Sequence, residues 1–172
     1  MIKKHTPLRD VLKVANQRSH KGCRKCVQSC TLTSGIFLDD DLKRFAKEMG
    51  ISKQEAKKRY MDRKELFNTK LHRAKQIKGK YPQGRCIFLK NNLCSIHKFK
   101  PVYCQVGTCE PEGEHTMTWY TLKFLVNPKD PESIRQWDSY LRFNSTIDGG
   151  ELKNLIKDKK KLKRILNYEV LK

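Results

Sequence analysis

One long stretch of this chain contains no acidic residue. From position 66 to position 109 there is neither aspartate nor glutamate, while nine lysines and arginines fall in the same stretch. The whole chain has 38 Lys and Arg against 18 Asp and Glu, a formal net charge of +20. Such self-repulsion adds nothing to fold stability, so the excess predicts a polyanionic partner. A generally basic or salt-adapted surface is the alternative interpretation of the same charge.

Long apolar runs are also lacking. No window approaches the roughly 18 apolar residues that a membrane-spanning helix needs, and the first residues contain no apolar signal-peptide core. We therefore expect a cytoplasmic protein with no membrane partner. Hydrophobic residues make up 37% of the 172 residues and charged residues 33%. This balance predicts a modest core, whose ordering entropy a metal crosslink would partly offset.

Several functional signatures are missing as well. The chain has no glycine-rich cofactor loop and no evident acid–base pair, so an enzyme is the less favoured interpretation. It has neither the aromatic pair of an RNA-recognition motif nor a KH loop. Sequence-specific reading of a nucleic acid is therefore not predicted.

What the chain does contain is a set of seven cysteines: Cys23, Cys26, Cys30, Cys86, Cys94, Cys104 and Cys109. The first three have the spacing C-x2-C-x3-C, and two thiolates separated by two residues can reach one metal ion from a tight turn. An odd number of clustered cysteines in a reducing compartment argues against a disulfide framework. We predict that all seven belong to a metal site.

Seven thiols do not equal the number of ligands that one or two ordinary metal sites need. Two tetrahedral zinc sites need eight ligands, whereas a cubane iron–sulfur cluster needs four. A histidine could complete a pair of sites, one centre could use a subset of the thiols, or thiolates could bridge metals. The candidate histidines are those near the cysteines in sequence, His20, His97 and His115. The cysteine order differs from the ferredoxin run, and the residue chemistry leaves zinc and iron–sulfur both open.

Periodicity predicts a protein that is mainly α with a short β-hairpin. Helical spacing covers residues 8–17, 42–49, 132–143 and 152–166, and a further helix from Ser52 to Ala74 with a break near Met61. Residues 116–126 have the composition of a strand but also match a helical face, and their length slightly favours a helix. Residues 87–96 predict the hairpin, with a thiol at each end. We expect a small metal-stabilised α-helical domain with irregular cysteine-rich loops. Residues 1–128 would form the metal-binding domain and residues 129–172 a basic helical extension packed on it.

The order of these motifs resembles the cysteine-cluster family called YkgJ-like, whose domain is described as zinc- or iron-chelating. The matching pieces span roughly residues 20 to 110 and comprise Cys23, Cys26, Cys30, Phe37 to Ser52, Gly84-Arg-Cys86-Ile-Phe-Leu89, Cys94-Ser-Ile-His97, Lys100-Pro101 and Cys104. Thr31 takes the place of the second cysteine in the family's adjacent pair. His97 replaces a tyrosine, and Lys100 and Gln105 each replace an arginine.

This resemblance implies a cofactor and an alternative function. The family includes flagellin lysine N-methylases, for which an iron–sulfur centre is expected, so the resemblance favours a four-iron cluster slightly over zinc. The missing eighth thiol weakens the case for a second complete metal site. An iron–sulfur enzyme acting on protein lysines is thus the first alternative function, and metal storage or delivery is the second.

The basic residues predict the main function. Nine cations without an interposed acid, on a loop that also carries Tyr81, suit phosphate contacts and one stacking surface. We expect a non-enzymatic metal-binding protein that binds RNA, most simply ribosomal RNA within a ribonucleoprotein, although tRNA and DNA fit the charge too. The predicted contacts are Lys70, Arg73, Lys75, Lys78, Lys80, Tyr81, Arg85, Lys90, Lys98, Lys100, Lys159, Lys160, Lys161, Lys163 and Arg164.

Overall fold

The structure is a computed structural model that describes residues 1–17, 27–78, 84–108 and 110–170. Helices dominate these ranges: α1 (Leu8–Asn16), α2 (Val27–Leu32), α3 (Asp39–Glu48), α4 (Lys53–Tyr60), α5 (Val102–Val106), α6 (Gly113–Phe124), α7 (Pro131–Leu141), α8 (Leu152–Leu155) and α9 (Lys159–Leu166). The strands are mostly short: β1 (Ile36–Phe37), β2 (Met61–Leu66), β3 (Thr69–Ala74), β4 (Gln76–Ile77), β5 (Arg85–Cys86), β6 (Leu89–Lys90) and β7 (Leu93–Cys94). The predicted combination of helices with small β elements is confirmed.

The strands form three small antiparallel sheets in the part of the chain that is described. One has the order β1-β3-β2, and the others are the pairs β4–β5 and β6–β7. The β6–β7 pair is the predicted hairpin. Its turn residues Asn91 and Asn92 have φ values of 48° and 57°, the left-handed conformation that a tight hairpin turn requires and asparagine tolerates.

The helix predicted from Ser52 to Ala74 is wrong beyond Tyr60. There α4 ends, and β2 and β3 follow as a hairpin in register from Met61 opposite Ala74 to Leu66 opposite Thr69. The turn is made by two residues in the left-handed region, Phe67 and Asn68, with φ values of 51° and 56°.

The helix predicted over residues 152–166 is divided into two. The first piece, α8, ends at Leu155, and Asp158 then begins α9 by accepting a hydrogen bond from the Lys161 amide at 3.0 Å. A side-chain cap of this kind satisfies an amide that has no partner in the first helical turn. The break lets both Leu155 and Ile165 point into the core, where each is buried.

Two neighbouring helix ends are set by local residues. Gly50 closes α3 with a φ of +65°, and the Ser52 hydroxyl accepts a hydrogen bond from the Glu55 amide at 3.1 Å as the cap of α4. The segment between residues 116 and 126, whose composition suits a strand as well, lies in α6 apart from its last two residues. None of the described helices is long and apolar enough to cross a membrane.

Buried side chains form two clusters. The larger joins the N-terminal residues, α6 and the C-terminal helices around Trp119 and Trp137, both fully buried. The smaller contains Phe37, Phe45 and Phe88, whose ring centroids lie 5.3 to 6.4 Å apart, and it extends to Cys86. The smaller cluster therefore carries part of the cysteine set. The domain boundary near residue 128 remains a prediction.

Candidate metal centre

Four cysteines from four different elements line one cavity of about 250 Å³. Cys30 comes from α2, Cys86 from β5, Cys94 from β7 and Cys104 from α5. Burial raises the pKa of the Cys104 thiol strongly, and Cys30, Cys86 and Cys94 raise it further through their charges. Like charges repel strongly in a buried site, so the ionisation of any one of these four thiols affects the other three.

The sulfur of Cys86 lies among backbone amides. Burial raises the pKa of this thiol, and hydrogen bonds from the amides of Phe88, Gly35 and Leu89 work in the opposite direction. Amide donors stabilise sulfur in its charged form, and the thiolate is the form that binds metals. The backbone around Cys86 is thus arranged for a thiolate, as expected of a metal ligand.

Gly35 allows β1 to approach Cys104. A Cβ atom added to Gly35 would overlap the Cys104 sulfur and would lie 3.2 Å from the Cγ atom of Pro101. Only glycine fits this position without movement of its neighbours. Our sequence analysis did not single out Gly35, although a glycine at the edge of a strand is a signal for close backbone approach.

The turn that precedes Cys104 is held by α3. The buried Asp41 carboxylate accepts hydrogen bonds from the amide of Val102 at 3.1 Å and that of Leu38 at 3.2 Å. The guanidinium of Arg44 donates both to Asp41 at 2.7 Å and to the Lys100 carbonyl at 3.1 Å. Burial raises the pKa of Asp41, and these partners partly offset that rise. Asp41 was not among the site residues predicted from the sequence.

Hydrogen bonds between distant segments hold the remaining side of the cavity. The Ser34 hydroxyl donates to the Ala74 carbonyl at 2.6 Å, and the Ala74 amide donates to the Gly35 carbonyl at 2.9 Å. The Ile87 amide, next to Cys86, donates to the Lys75 carbonyl at 2.9 Å. The end of β3 therefore positions both the glycine that contacts Cys104 and the strand that carries Cys86.

Three of the predicted thiol ligands, Cys23, Cys26 and Cys109, lie outside the described residues. Within residues 1–17, 27–78, 84–108 and 110–170, no group of three or more His, Cys, Asp or Glu side chains is arranged to hold a metal ion. The complete ligand set therefore remains a prediction. The structure brings together Cys30, Cys86, Cys94 and Cys104 around one cavity.

The candidate histidines differ in position. His97 lines the cavity, in the place where the resembling family has tyrosine. His115 is exposed and its Nδ1 atom lies 2.9 Å from a carboxylate oxygen of Glu112, away from the residues that line the cavity. His20 lies outside the described residues. Among the histidines that the structure describes, His97 is thus the one placed to assist the thiols.

The donor chemistry of the cavity fits a thiophilic metal. Thiolates bind zinc in tetrahedral sites and iron in iron–sulfur clusters, and neither calcium nor magnesium prefers sulfur. A family model described as "Putative zinc- or iron-chelating domain", with the signature CxxCxxCC, matches residues 22–122, more than half of the chain. The chain belongs to this family. No curated protein and no solved structure matches the chain.

Membership in the zinc- or iron-chelating family confirms the resemblance seen in the cysteine order. The matched residues 22–122 include all seven cysteines, and they also include β1 to β7 and most of α6. Zinc and iron, the two metals considered from the sequence, are those named by the family description. The predicted metal-binding character therefore agrees with the family.

The predicted RNA contacts fall into three groups. Lys70, Lys78, Arg85, Lys90 and Lys98 are exposed, as are the five predicted cations of α9, whereas Arg73, Lys75 and Lys100 are partly buried. Lys80 and Tyr81 lie outside the described residues. Among the described cations between positions 70 and 100, none takes part in an ion pair within the described chain. Their contact with RNA stays a prediction.

Proposed function

We propose that this protein is a non-enzymatic RNA-binding protein whose basic loops are organised by a thiolate metal centre, and that it associates with ribosomal RNA. The observation that carries the proposal is the position of the cavity. Three of its four thiols, Cys86, Cys94 and Cys104, lie within the acid-free stretch of residues 66–109. The segments that would hold the metal are therefore the same segments that carry unpaired positive charge.

The metal has a structural role in this proposal. Cys86 and Cys94 lie on strands of two residues each, and Cys104 lies on a helix of five residues. Elements this short gain little stability from their own hydrogen bonds. A metal bound by thiolates from several such elements crosslinks them, and its binding free energy becomes folding free energy.

The size of the cavity supports an iron–sulfur cluster over a single zinc ion. Four sulfurs at about 2.3 Å from one zinc ion contact one another and leave no space between them. The cavity that the four described thiols help to line has a volume of about 250 Å³, which leaves space for a cofactor of several atoms. When bound, such a cluster would supply the crosslinks; Cys30, Cys86, Cys94 and Cys104 are the described residues that would hold it.

The metal part of the proposal is tested by purification without oxygen, followed by visible absorption and analysis for iron, sulfide and zinc. We expect iron and sulfide in the wild type and their loss in Cys86→Ser and Cys104→Ser. Ser29→Ala is the matched control, because Ser29 also lines the cavity but offers no thiol. Zinc in place of iron would contradict the cluster, and the absence of both metals from the wild type would contradict the centre itself.

The RNA part is tested by titration with a ribosomal RNA fragment at several salt concentrations. Phosphate contacts release counterions, so the logarithm of the binding constant should fall linearly with the logarithm of salt concentration, with a slope of about −0.7 to −0.9 per contact. A steep negative slope is the expected result. Absence of binding at low salt would end the proposal.

A further inference from the structure

A second cavity lies outside the cysteine site, between α4 and the β2–β3 hairpin. It is an open groove of about 880 Å³. The groove lies where α4, which ends at Tyr60, is followed at once by the hairpin, which begins at Met61. Its charged and titratable lining residues are mostly cationic: Lys57, Lys58, Arg63, Lys64, Lys70 and His72. We call this surface the corner groove.

The cations of the corner groove outnumber the acidic side chains that line it. Glu65 is the one acidic residue among the described lining residues, against five lysines and arginines. None of those five cations forms an ion pair within the described ranges. Two acidic side chains of the neighbouring helices are already engaged: Glu55 pairs with Arg59, and Asp39 pairs with Lys43 and Lys53. The groove therefore keeps an uncompensated positive charge that an anion can neutralise.

His72 reports the positive field inside the groove. It stands directly opposite Arg63 in the β2–β3 ladder. Its pKa is lowered first by burial and then by the charges of Lys57, Arg63 and Lys53, with Asp39 opposing them. Cations from both sides of the groove, the helix and the hairpin, thus act on one imidazole between them. Lys57 and Arg63 therefore both lie near His72.

The shape of the groove favours a nucleic acid over a membrane surface as the polyanionic partner. A membrane surface is flat and requires exposed apolar or aromatic anchors, whereas the corner groove is concave. The exposed large hydrophobic residues of the described chain are Met1, Leu32, Ile77, Leu93, Phe143 and Tyr168, and none lines the groove. With no exposed aromatic ring to stack on a base, the groove is suited to contacts with phosphates.

We propose that the corner groove binds the phosphodiester backbone of RNA, an inference that rests on the RNA-binding function proposed above. It assigns the contact to Lys57, Lys58, Arg63 and Lys64, which lie outside the acid-free stretch, together with Lys70. The groove reads no bases, so it would bind RNA with little dependence on sequence. The helix supplies Lys57 and Lys58, and the hairpin supplies Arg63, Lys64 and Lys70.

The test compares two variants of the full-length protein with equal loss of charge. The groove variant carries Lys57→Gln, Lys58→Gln, Arg63→Gln and Lys64→Gln. The control variant carries Lys47→Gln, Lys123→Gln, Lys129→Gln and Lys153→Gln, four exposed lysines that form no ion pair within the described chain and do not line the groove. Binding to an RNA hairpin is measured at several salt concentrations between about 50 and 200 mM. Over this range, proteins that contact many phosphates lose affinity steeply.

The groove variant should bind more weakly, and its slope against the logarithm of salt concentration should be shallower than the wild-type slope by about 3, because up to four phosphate contacts are lost. The control variant should keep a slope within about 1 of the wild type. If both variants change the slope equally, the corner groove is not the contact, and the proposed RNA binding stands without it. If the wild type itself does not bind RNA at low salt, both proposals fail.

Two further measurements distinguish the partner and guard against misfolding. Lysine acetylation of the wild type with and without the RNA hairpin should show protection at Lys57, Lys58 and Lys64 and not at Lys123 or Lys129. Equal labelling of all five lysines would overturn the inference even if the groove variant unfolds. The wild type is also titrated with a DNA hairpin of the same sequence and with anionic phospholipid vesicles. Groove-dependent binding to either of these that is tenfold tighter than to RNA would overturn the assignment to RNA.

Discussion

The carboxylate of Asp41 accepts a hydrogen bond from the backbone amide of Val102 at 3.1 Å, across 61 residues of sequence. This contact joins the first turn of α3 to the first turn of α5, two residues before Cys104. It links the helical scaffold to the cysteine cavity.

Replacing Asp41 should therefore destabilise both the helical scaffold and the cysteine cavity. We expect Asp41→Ala to lower the free energy of unfolding by about 2–4 kcal/mol, because the amides of Leu38 and Val102 lose their acceptor in a buried place. Asp40→Ala is the control: Asp40 is exposed and pairs only with Lys43 among the described residues, so its loss should cost less than about 1 kcal/mol. Urea unfolding measures both, and equal losses would show that Asp41 does not hold α5.

The contact between Gly35 and Cys104 predicts a second effect. In Gly35→Ala the new methyl group overlaps the Cys104 sulfur, so we expect a loss of about 1–3 kcal/mol and a lower metal content after purification. Gly107→Ala is the matched control, because Gly107 lines the same cavity and its added Cβ would meet its nearest neighbour, the Tyr103 carbonyl oxygen, at 3.4 Å. Metal analysis and thermal unfolding are the measurements. A full metal content in Gly35→Ala would contradict the close packing.

A third prediction concerns Arg135, whose buried guanidinium holds the end of the chain. It donates to the carbonyls of Ile165 at 3.0 Å and Val170 at 2.9 Å, and it pairs with Glu132. Arg135→Ala should cost about 2–4 kcal/mol, since two carbonyls lose a buried donor.

The readout for Arg135 is hydrogen exchange together with thermal unfolding. Amides of α9 should exchange faster in Arg135→Ala than in Arg142→Ala, whose guanidinium is exposed and pairs with Asp138 alone among the described residues. Unchanged protection of α9 would mean that Arg135 does not retain this helix.

A fourth prediction follows from the lowered pKa of His72. The folded protein protonates this imidazole less readily than the unfolded chain, in which its pKa is near 6.5. As the pH falls below that value, the unfolded state binds the additional proton and the folded state loses stability. Between pH 7 and pH 5 the wild type should therefore lose more stability than His72→Gln.

Urea unfolding at several pH values measures the His72 effect as the difference between the two proteins. Added salt should reduce that difference, because salt screens the charges of Lys57, Arg63 and Lys53. Burial is the larger cause, so part of the difference should persist at high salt. Parallel stability curves for the two proteins would contradict the prediction.

The predictions from the sequence were most accurate for features that depend on residues adjacent in the chain. The hairpin predicted over residues 87–96 is present as β6–β7, and the helix predicted from Ser52 begins there as α4. The cysteine spacings predicted the metal-binding family that the comparison confirmed. In each case a few adjacent residues are sufficient for the structure.

The β2–β3 hairpin was missed because its burial does not alternate. On β3, Leu71 and Ala74 are buried and the two residues between them are only partly so, a spacing of three that fits a helix. The turn at Phe67 and Asn68 contains one asparagine and no glycine, which is a weak signal. The corner groove depends on this hairpin, so it could not be predicted either.

The surroundings of the cysteines were unpredictable for a different reason. Gly35 meets Cys104 and Asp41 meets Val102 only after segments more than 60 residues apart have folded together. No pattern of neighbouring residues in the sequence predicts these contacts. The sequence identified the thiols through their chemistry, and the residues that position them became visible only in the folded chain.

The residues that line the cavity are far apart in the sequence, and this separation sets an order of events during biosynthesis. Cys104 is added 74 residues after Cys30, which at about 5–20 residues per second takes about 4–15 s on the translating ribosome. Until then the thiol of Cys30 has no complete cavity around it and is open to oxidants. The cavity can therefore form only after α5 has been synthesised, and a chain stalled before residue 104 would lack the Cys104 side of it.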